Sequence, residues 1–440
     1  MRSINYQEHD RLRVSFGSLR TLPREALVVL SLVSGSHVVN HMYLVLFPPI
    51  LGVLAMEFDV SLATLGFAMG AQAFVNTVFQ LPFGYLSDTY DRTLTFGLCL
   101  VLGSVGALVL AAAPTFEWLL VGQIVLGIGV AGHHPAHYPL LSDATTETNR
   151  GRLFSIHGFA GNIGFAAPPV VIVAISSLDG LNWRHAFGLV GVVGLLYAVV
   201  AVFVLLRHVP TSVRQPNGPA RPNDGRPTPS LWRRLRAGTR ALVESPRILA
   251  LGMLALVAST AMWGITSFVV TLLDQGYGVG SSTASLTLSV MFGVGAVFML
   301  VGGDLSDRYA PAPLILVSYV LVAAFVLLLA SFVLPPSAAV VAAVLAGSVG
   351  SLSTPARDKL ADVLSARADL GRNFAVVTIG IMVGSTIAPP LFGVIIETFD
   401  FRIAFASIAV VALGVAALTV GIVTRWGEGY SLGDAPATGD

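Results

Sequence analysis

Gly84-Tyr85-Leu86-Ser87-Asp88 returns 219 residues later as Gly303-Asp304-Leu305-Ser306-Asp307, each time at the end of a long apolar run. Four further pairs keep nearly the same distance. Pro135-Ala136 matches Pro355-Ala356, and Gly151-Arg152 matches Gly371-Arg372. Ala167-Pro168-Pro169 matches Ala388-Pro389-Pro390, and Arg184-x-Ala186-Phe187 matches Arg402-x-Ala404-Phe405. Five pairs at one offset imply a duplicated unit of about 220 residues, the internal symmetry common in membrane carriers.

The unit can be counted in membrane crossings. Apolar runs long enough to span roughly 30 Å of hydrocarbon as helix lie near 26–55, 62–86, 94–113, 118–141, 153–177 and 186–206. A second set lies near 248–272, 283–303, 313–334, 337–356, 374–396 and 403–424. None shows the two-residue polar alternation of a membrane β-barrel. The fold class expected is an all-α membrane protein of twelve transmembrane helices in two pseudo-symmetric six-helix bundles. The domains are a cytoplasmic N-terminal segment (1–25), an N-terminal lobe (26–207), a cytoplasmic linker (208–247), a C-terminal lobe (248–425) and a cytoplasmic tail (426–440). Six is an even number, so both lobes enter the bilayer from the same side.

Composition and charge agree. The chain is 55% hydrophobic and 11% charged, against about 25% charged in soluble domains, so lipid is its solvent. Of the 25 Lys and Arg, only Arg184 and Arg402 fall outside the segments assigned to the inner face. That asymmetry places the protein in the cell membrane as a multi-pass chain with both termini cytoplasmic. Nucleic-acid binding has no support, because no basic face exists outside the linker. Within the linker, Leu231-Trp232-Arg233-Arg234-Leu235-Arg236 to Arg240 reads equally as a helix on the anionic leaflet or as solvated chain. Cys99 is the lone cysteine, which excludes an intrachain disulfide. The first 25 residues are polar with five arginines, and the first apolar run is too long for a signal peptide.

The motifs resemble the major facilitator superfamily over essentially all twelve spans. Its loop 2–3 signature appears as Gly84-Tyr-Leu-Ser-Asp88-Thr-Tyr-Asp91-Arg92, with Asp91 where a Gly is usual and Thr89 where a basic residue is usual. Asp143 followed by Arg150-Gly151 resembles its loop 4–5 pattern. Within the superfamily, Ser36-His37-Val-Val-Asn40, Gly132-His-His-Pro-Ala136 and Gly161-Asn162-Ile-Gly164 with Pro168 are most similar to fosmidomycin-resistance-type efflux proteins. That family usually carries an Asp where this chain has His41. The resemblance implies a two-lobed carrier working by alternating access, with spans 1 and 4 lining a central cavity and span 5 flanking it.

No Asp, Glu, Lys or Arg falls near the middle of any span, so the titratable groups there are histidines. His37 and His41 share a helix face, as do His133 and His137, and His157 lies about one turn into span 5. An unperturbed imidazole titrates near pH 6.5, which fits proton coupling. Neutral histidines that hold helices together or touch substrate are the alternative. No metal and no cofactor are expected, since neither Cys nor carboxylate joins the set. Gln72, Asn76 and Gln80 form a polar stripe on span 2, and Asn40, Asn162 and Trp263 are further cavity candidates. At the inner rim, Asp88, Arg92, Asp143, Arg150 and Arg152 form one charge set, and Asp307, Arg308, Arg357, Asp358 and Arg372 the other. Pairs among them would latch that face shut.

Gly127-Ile-Gly-Val-Ala-Gly132 spells a dinucleotide fingerprint but follows no strand, so it reads as helix packing. The first function expected is a monomeric secondary transporter exporting a small organic or amphipathic compound. The second is an uptake carrier for a small metabolite or anion. A membrane receptor or enzyme comes third, because no nucleophile–base–orienter set appears within the spans.

Overall fold

Pro48 and Pro49 decide how the first span is built. Proline lacks an N–H and clashes with the carbonyl four residues back, so the first helix stops at Leu44. The chain resumes as a 3₁₀ turn at Pro48–Ile50 and a short helix to Phe58. The computed structural model describes residues 22–215, 246–364 and 370–426. These include twelve helices long and apolar enough to cross a membrane. Spans 1 to 6 are Arg24–Phe58, Leu62–Thr89, Arg92–Ala112, Phe116–Asp143, Arg152–Ser176 and Trp183–His208. Spans 7 to 12 are Pro246–Gly276, Ser281–Arg308, Pro311–Ser331, Pro336–Val363, Ala375–Thr398 and Phe401–Trp426. The basic stretch 231–240 and residues 1–21 and 427–440 lie outside the described residues.

Four spans are interrupted, at positions that correspond between the lobes. Span 1 breaks at Pro48, and span 7 ends in a π turn at Leu272–Gly276. Span 4 breaks at Gly132, and span 10 passes through a 3₁₀ turn at Val349–Leu352. Both latter breaks fall just before the repeated Pro135-Ala136 and Pro355-Ala356. Apolar continuity alone had shown these as plain spans. The difference arises because a break leaves hydropathy unchanged, while prolines remove helical hydrogen bonds and glycines loosen the backbone.

Packing repeats the sequence duplication. Span 1 lies along span 5 and span 7 along span 11; span 3 packs on spans 4 and 6, and span 9 on spans 10 and 12. Between lobes, span 2 meets span 11 and span 5 meets span 8, the two contacts a six-span shift interchanges. Call the end carrying residues 24 and 426 the near face, and the opposite end the far face. At the far face Arg184 binds Glu57 at 2.7 Å and the Ala113 carbonyl at 2.6 Å. Its counterpart Arg402 lies over the Phe332 ring at 5.3 Å.

The lobes touch through the far half of the bundle, and spans 2 and 11 also meet in the near half, where Gln80 reaches Met382. Ser285 donates to the Pro49 carbonyl (2.8 Å) and Ser289 to the Ala166 carbonyl (2.7 Å). Gly70 lies so close to span 11 that a Cβ there would come 2.8 Å from the Thr386 carbonyl oxygen. Small residues allow such approach where lipid supplies no hydrophobic drive between helices.

Within a lobe the same device is testable. A Cβ on Gly129 would stand 2.7 Å from Gly103 Cα of span 3, whereas one on Gly293 would meet nothing within 4 Å. Gly129→Ala should lower the melting temperature of the purified protein in detergent, and Gly293→Ala should leave it unchanged or raise it.

Candidate functional site

The break at Gly132 turns the second piece of span 4 so that His133, His134 and His137 reach spans 1 and 5. Six histidines converge there, each ring centroid within 4.5 Å of at least one other. His37 lies 4.1 Å from His41, 4.1 Å from His157 and 4.4 Å from His133. His133 in turn lies 3.9 Å from His137 and 4.5 Å from His134. His37, His133, His137 and His157 are buried. His41 and His134 line a cavity between the lobes.

Hydrogen bonds fix the tautomers of two rings. His37 Nδ1 donates to the His157 carbonyl at 2.7 Å, and His41 Nδ1 to the Gly161 carbonyl at 3.1 Å. A carbonyl only accepts, so both Nδ1 atoms carry hydrogen, and in a neutral imidazole the other nitrogen is then a bare acceptor. Yet His37 Nε2 and His41 Nε2 stand 2.9 Å apart. Two neutral rings would oppose lone pairs at hydrogen-bond distance. One cation between the two atoms resolves the conflict.

Few other polar groups surround this pair. Span 4 contributes His133, with no partner for either ring nitrogen, together with His134 and His137. Span 5 contributes His157, and span 6 contributes Tyr197, which donates to the Leu32 carbonyl at 2.7 Å. On span 1, Ser36 bonds His137 Nε2 at 2.9 Å, and Asn40 bonds the Ser36 carbonyl at 2.8 Å while accepting from Cys99 Sγ at 3.2 Å. No described Asp, Glu, Lys or Arg contacts the set. Metal geometry is approached twice: His37, His41 and His133 bring one ring nitrogen each within 4.8 Å of the others, and so do His133, His137 and His157.

The interlobe cavity has a volume of about 400 Å³. Gln72, Asn76, Asn162 and Trp263 line it with His41, whereas Gln80 reaches across to Met382 Sδ at 3.0 Å. Asn40, His37, His133, His137 and His157 stand behind the wall. Several lining groups were missed from sequence: Met262, Met291, Phe165, Phe292 and His134. Phe165, Met262, Met291 and Phe292 are apolar like the lipid-facing and core residues around them, so composition did not single them out, and His134 follows the break at Gly132, which resets helical phase. Arg357, grouped above with the rim charges, also lines the cavity.

The ion pairs described at the rim lie within single lobes. Arg92 binds Asp143 at 2.7 Å and the Val213 carbonyl at 2.7 Å. Arg308 binds Asp304 at 2.8 Å, four residues back on the same helix, and Arg357 binds Asp358 at 3.0 Å. Asp88, Asp307 and Arg150 are exposed, Arg152 has a partner of its own, and the Arg372 side chain falls outside what is described. The repeated motif serves both lobes: Ser87 donates to the Pro135 carbonyl at 2.8 Å, and Lys359 donates to the Ser306 carbonyl. Asp91, the departure from the signature, accepts from Thr93 N at 2.7 Å to cap span 3 and pairs with Arg214 at 3.6 Å.

The family model described as Major Facilitator Superfamily matches residues 33–340 and 251–428. The chain is 27% identical over 144 residues to the MFS thioclapurine efflux transporter of Claviceps purpurea, covering 33% of this chain and 26% of that protein. Matches to the leading curated relatives span between 26% and 31% of those proteins' length. The Fosmidomycin resistance protein of Escherichia coli is 25% identical over 317 residues, 70% of this chain and 72% of its own. Among solved structures, a bacterial homolog of the human lysosomal transporter Spinster superposes with TM-score 0.75 at 17% identity, covering 93% of this chain and 99% of that one.

The clasp at the near face makes a prediction. Arg92 and Asp91 hold the short helix Thr211–Arg214 against spans 3 and 4 through Val213 and Arg214. In Arg92→Gln with Asp91→Ala, amide hydrogen exchange over residues 209–215 should rise severalfold, while exchange in the core of span 3 stays unchanged.

Proposed function

The chain belongs to the major facilitator superfamily and is a membrane transporter rather than an enzyme; we propose that it exports a small amphipathic organic compound by alternating access, driven by protons. The observation that carries the mechanism is the cavity between two lobes whose backbone-bonded contacts lie in their far halves. The strong basic asymmetry makes the near face cytoplasmic. On that orientation the packing of Gly70 on span 11 and of Ser285 and Ser289 on their carbonyl partners supports an inward-facing reading, with these contacts as the outer seal. Described ion pairs at the near face lie within single lobes, which leaves the lobes free to part there. A single chain contains both lobes and the whole cavity wall, which supports action as a monomer in the cell membrane.

Proton coupling rests on the facing Nε2 atoms of His37 and His41. A proton shared between them satisfies both acceptors. A divalent ion would meet the same atoms, but the cost of burying an ion grows with the square of its charge. No carboxylate or thiolate stands in the described set to offset it. His41 and His134 on the cavity wall give the proton a route to water when the lobes part, and release on the cytoplasmic side would free the carrier for its next cargo. Export is favoured over uptake by the likeness to the fosmidomycin resistance protein across most of both chains.

Proteoliposomes carrying the purified protein provide the test, with fosmidomycin and amphipathic dyes as probes. Transport should accelerate at least about tenfold when protons are driven opposite to the probe. His37→Gln and His41→Gln should each abolish that acceleration while retaining probe exchange without a gradient. Full gradient dependence in both variants would refute coupling through this pair.

A further inference from the structure

Arg357 is the only Asp, Glu, Lys or Arg among the described residues that line the cavity. It lies directly after the repeated Pro355-Ala356, the place where the first lobe has His137 after Pro135-Ala136. The duplicated helix thus carries a buried histidine in one lobe and a guanidinium facing the cavity in the other. We propose that Arg357 binds the anionic group of the transported compound, so that the cargo is an amphipathic organic anion with a flat apolar body. This inference rests on the transport reading above, and not on the direction of transport or on proton coupling.

The guanidinium has capacity to spare. Of its five N–H donors, Nε and one on Nη2 go to a single Asp358 oxygen, at 3.2 and 3.0 Å. Asp358 is about half exposed and does not line the cavity, so it holds the side chain in place without filling the cavity edge. A carboxylate or phosphonate would receive the remaining donors in the paired geometry guanidinium groups favour.

The other end of the cavity suits an aromatic body. Phe165 of one lobe stacks on Phe292 of the other with centroids 5.1 Å apart, and Trp263 stands edge-on to Phe165 at 6.3 Å. Trp263 stands farther along span 7 from its near-face end than Arg357 does along span 10, and both line the cavity. Met262 and Met291 line the space between with polarizable side chains that adapt to shape.

Binding of 2-naphthoate and of its neutral analogue 2-naphthamide to the full-length protein in detergent, measured by calorimetry, tests the assignment. The carboxylate should bind at least about tenfold tighter than the amide. Arg357→Gln should remove that preference by weakening the carboxylate alone, and Arg357→Lys should keep part of it. Trp263→Ala should weaken both ligands to a similar degree. Equal affinity for the two ligands in the unaltered protein, absence of naphthoate binding, or an unchanged preference in Arg357→Gln overturns the proposal. Amide binding retained by Arg357→Gln excludes misfolding as the cause. A protein that fails this test yet moves neutral dyes in proteoliposomes loses the anion preference and keeps the transport function.

Discussion

Hydrocarbon offers a peptide group no hydrogen-bond partner, and each unsatisfied group there costs several kcal/mol. This constraint makes every span a helix, and it also dictates where a helix can be broken. The interruptions in spans 1, 4, 7 and 10 release backbone groups that only protein or water can satisfy. These are the spans that supply His41, His134, Trp263 and Arg357 to the cavity. The Pro49 carbonyl, freed by the first break, is taken up by Ser285 of the other lobe. Irregular backbone, polar side chains and the interlobe space therefore coincide for one physical reason.

Duplication then explains both the likeness and the difference between the lobes. The packing pairs, the breaks and the Gly-x-x-Ser-Asp ends recur, since they govern how six helices fit together. The chemistry does not recur. At an offset of 220, His133, His134 and His137 correspond to Ser353, Thr354 and Arg357. One lobe has gathered histidine rings behind its wall, the place proposed above for a single extra proton. The other has small hydroxyls and one permanent charge on the wall itself.

Span number, duplication and the presence of histidines in place of Asp, Glu, Lys and Arg at mid-span were legible in the sequence. Hydropathy, residue identity and an even span count are properties of the chain alone. The facing Nε2 atoms of His37 and His41 were not legible, because the four-residue spacing gives a shared face but no tautomer. Those follow from the carbonyls of His157 and Gly161, some 120 residues away. His134 and Arg357 were misplaced or missed for another reason. Each follows a break, and helical phase cannot be carried through a break by counting. Asp91 looked like decay of a signature and is instead a cap and an ion-pair partner.

The two charges raise a question that magnitudes can decide. A proton on the histidine pair and an anion on Arg357 attract, and by linkage each would favour the other's binding. Attraction alone would therefore favour carrying both in the same direction. The two sites border one cavity, and Coulomb's law sets the scale for unit charges roughly 10 to 15 Å apart. At an effective dielectric constant near 20 that attraction is about 1 kcal/mol, and less in a hydrated cavity. Such a bias changes affinity about fivefold and cannot by itself impose cotransport. The direction of coupling must then come from which occupied forms allow the far-half contacts of Gly70, Ser285 and Ser289 to open. An exchanger results where proton and cargo each permit that opening alone, and where the empty carrier does not.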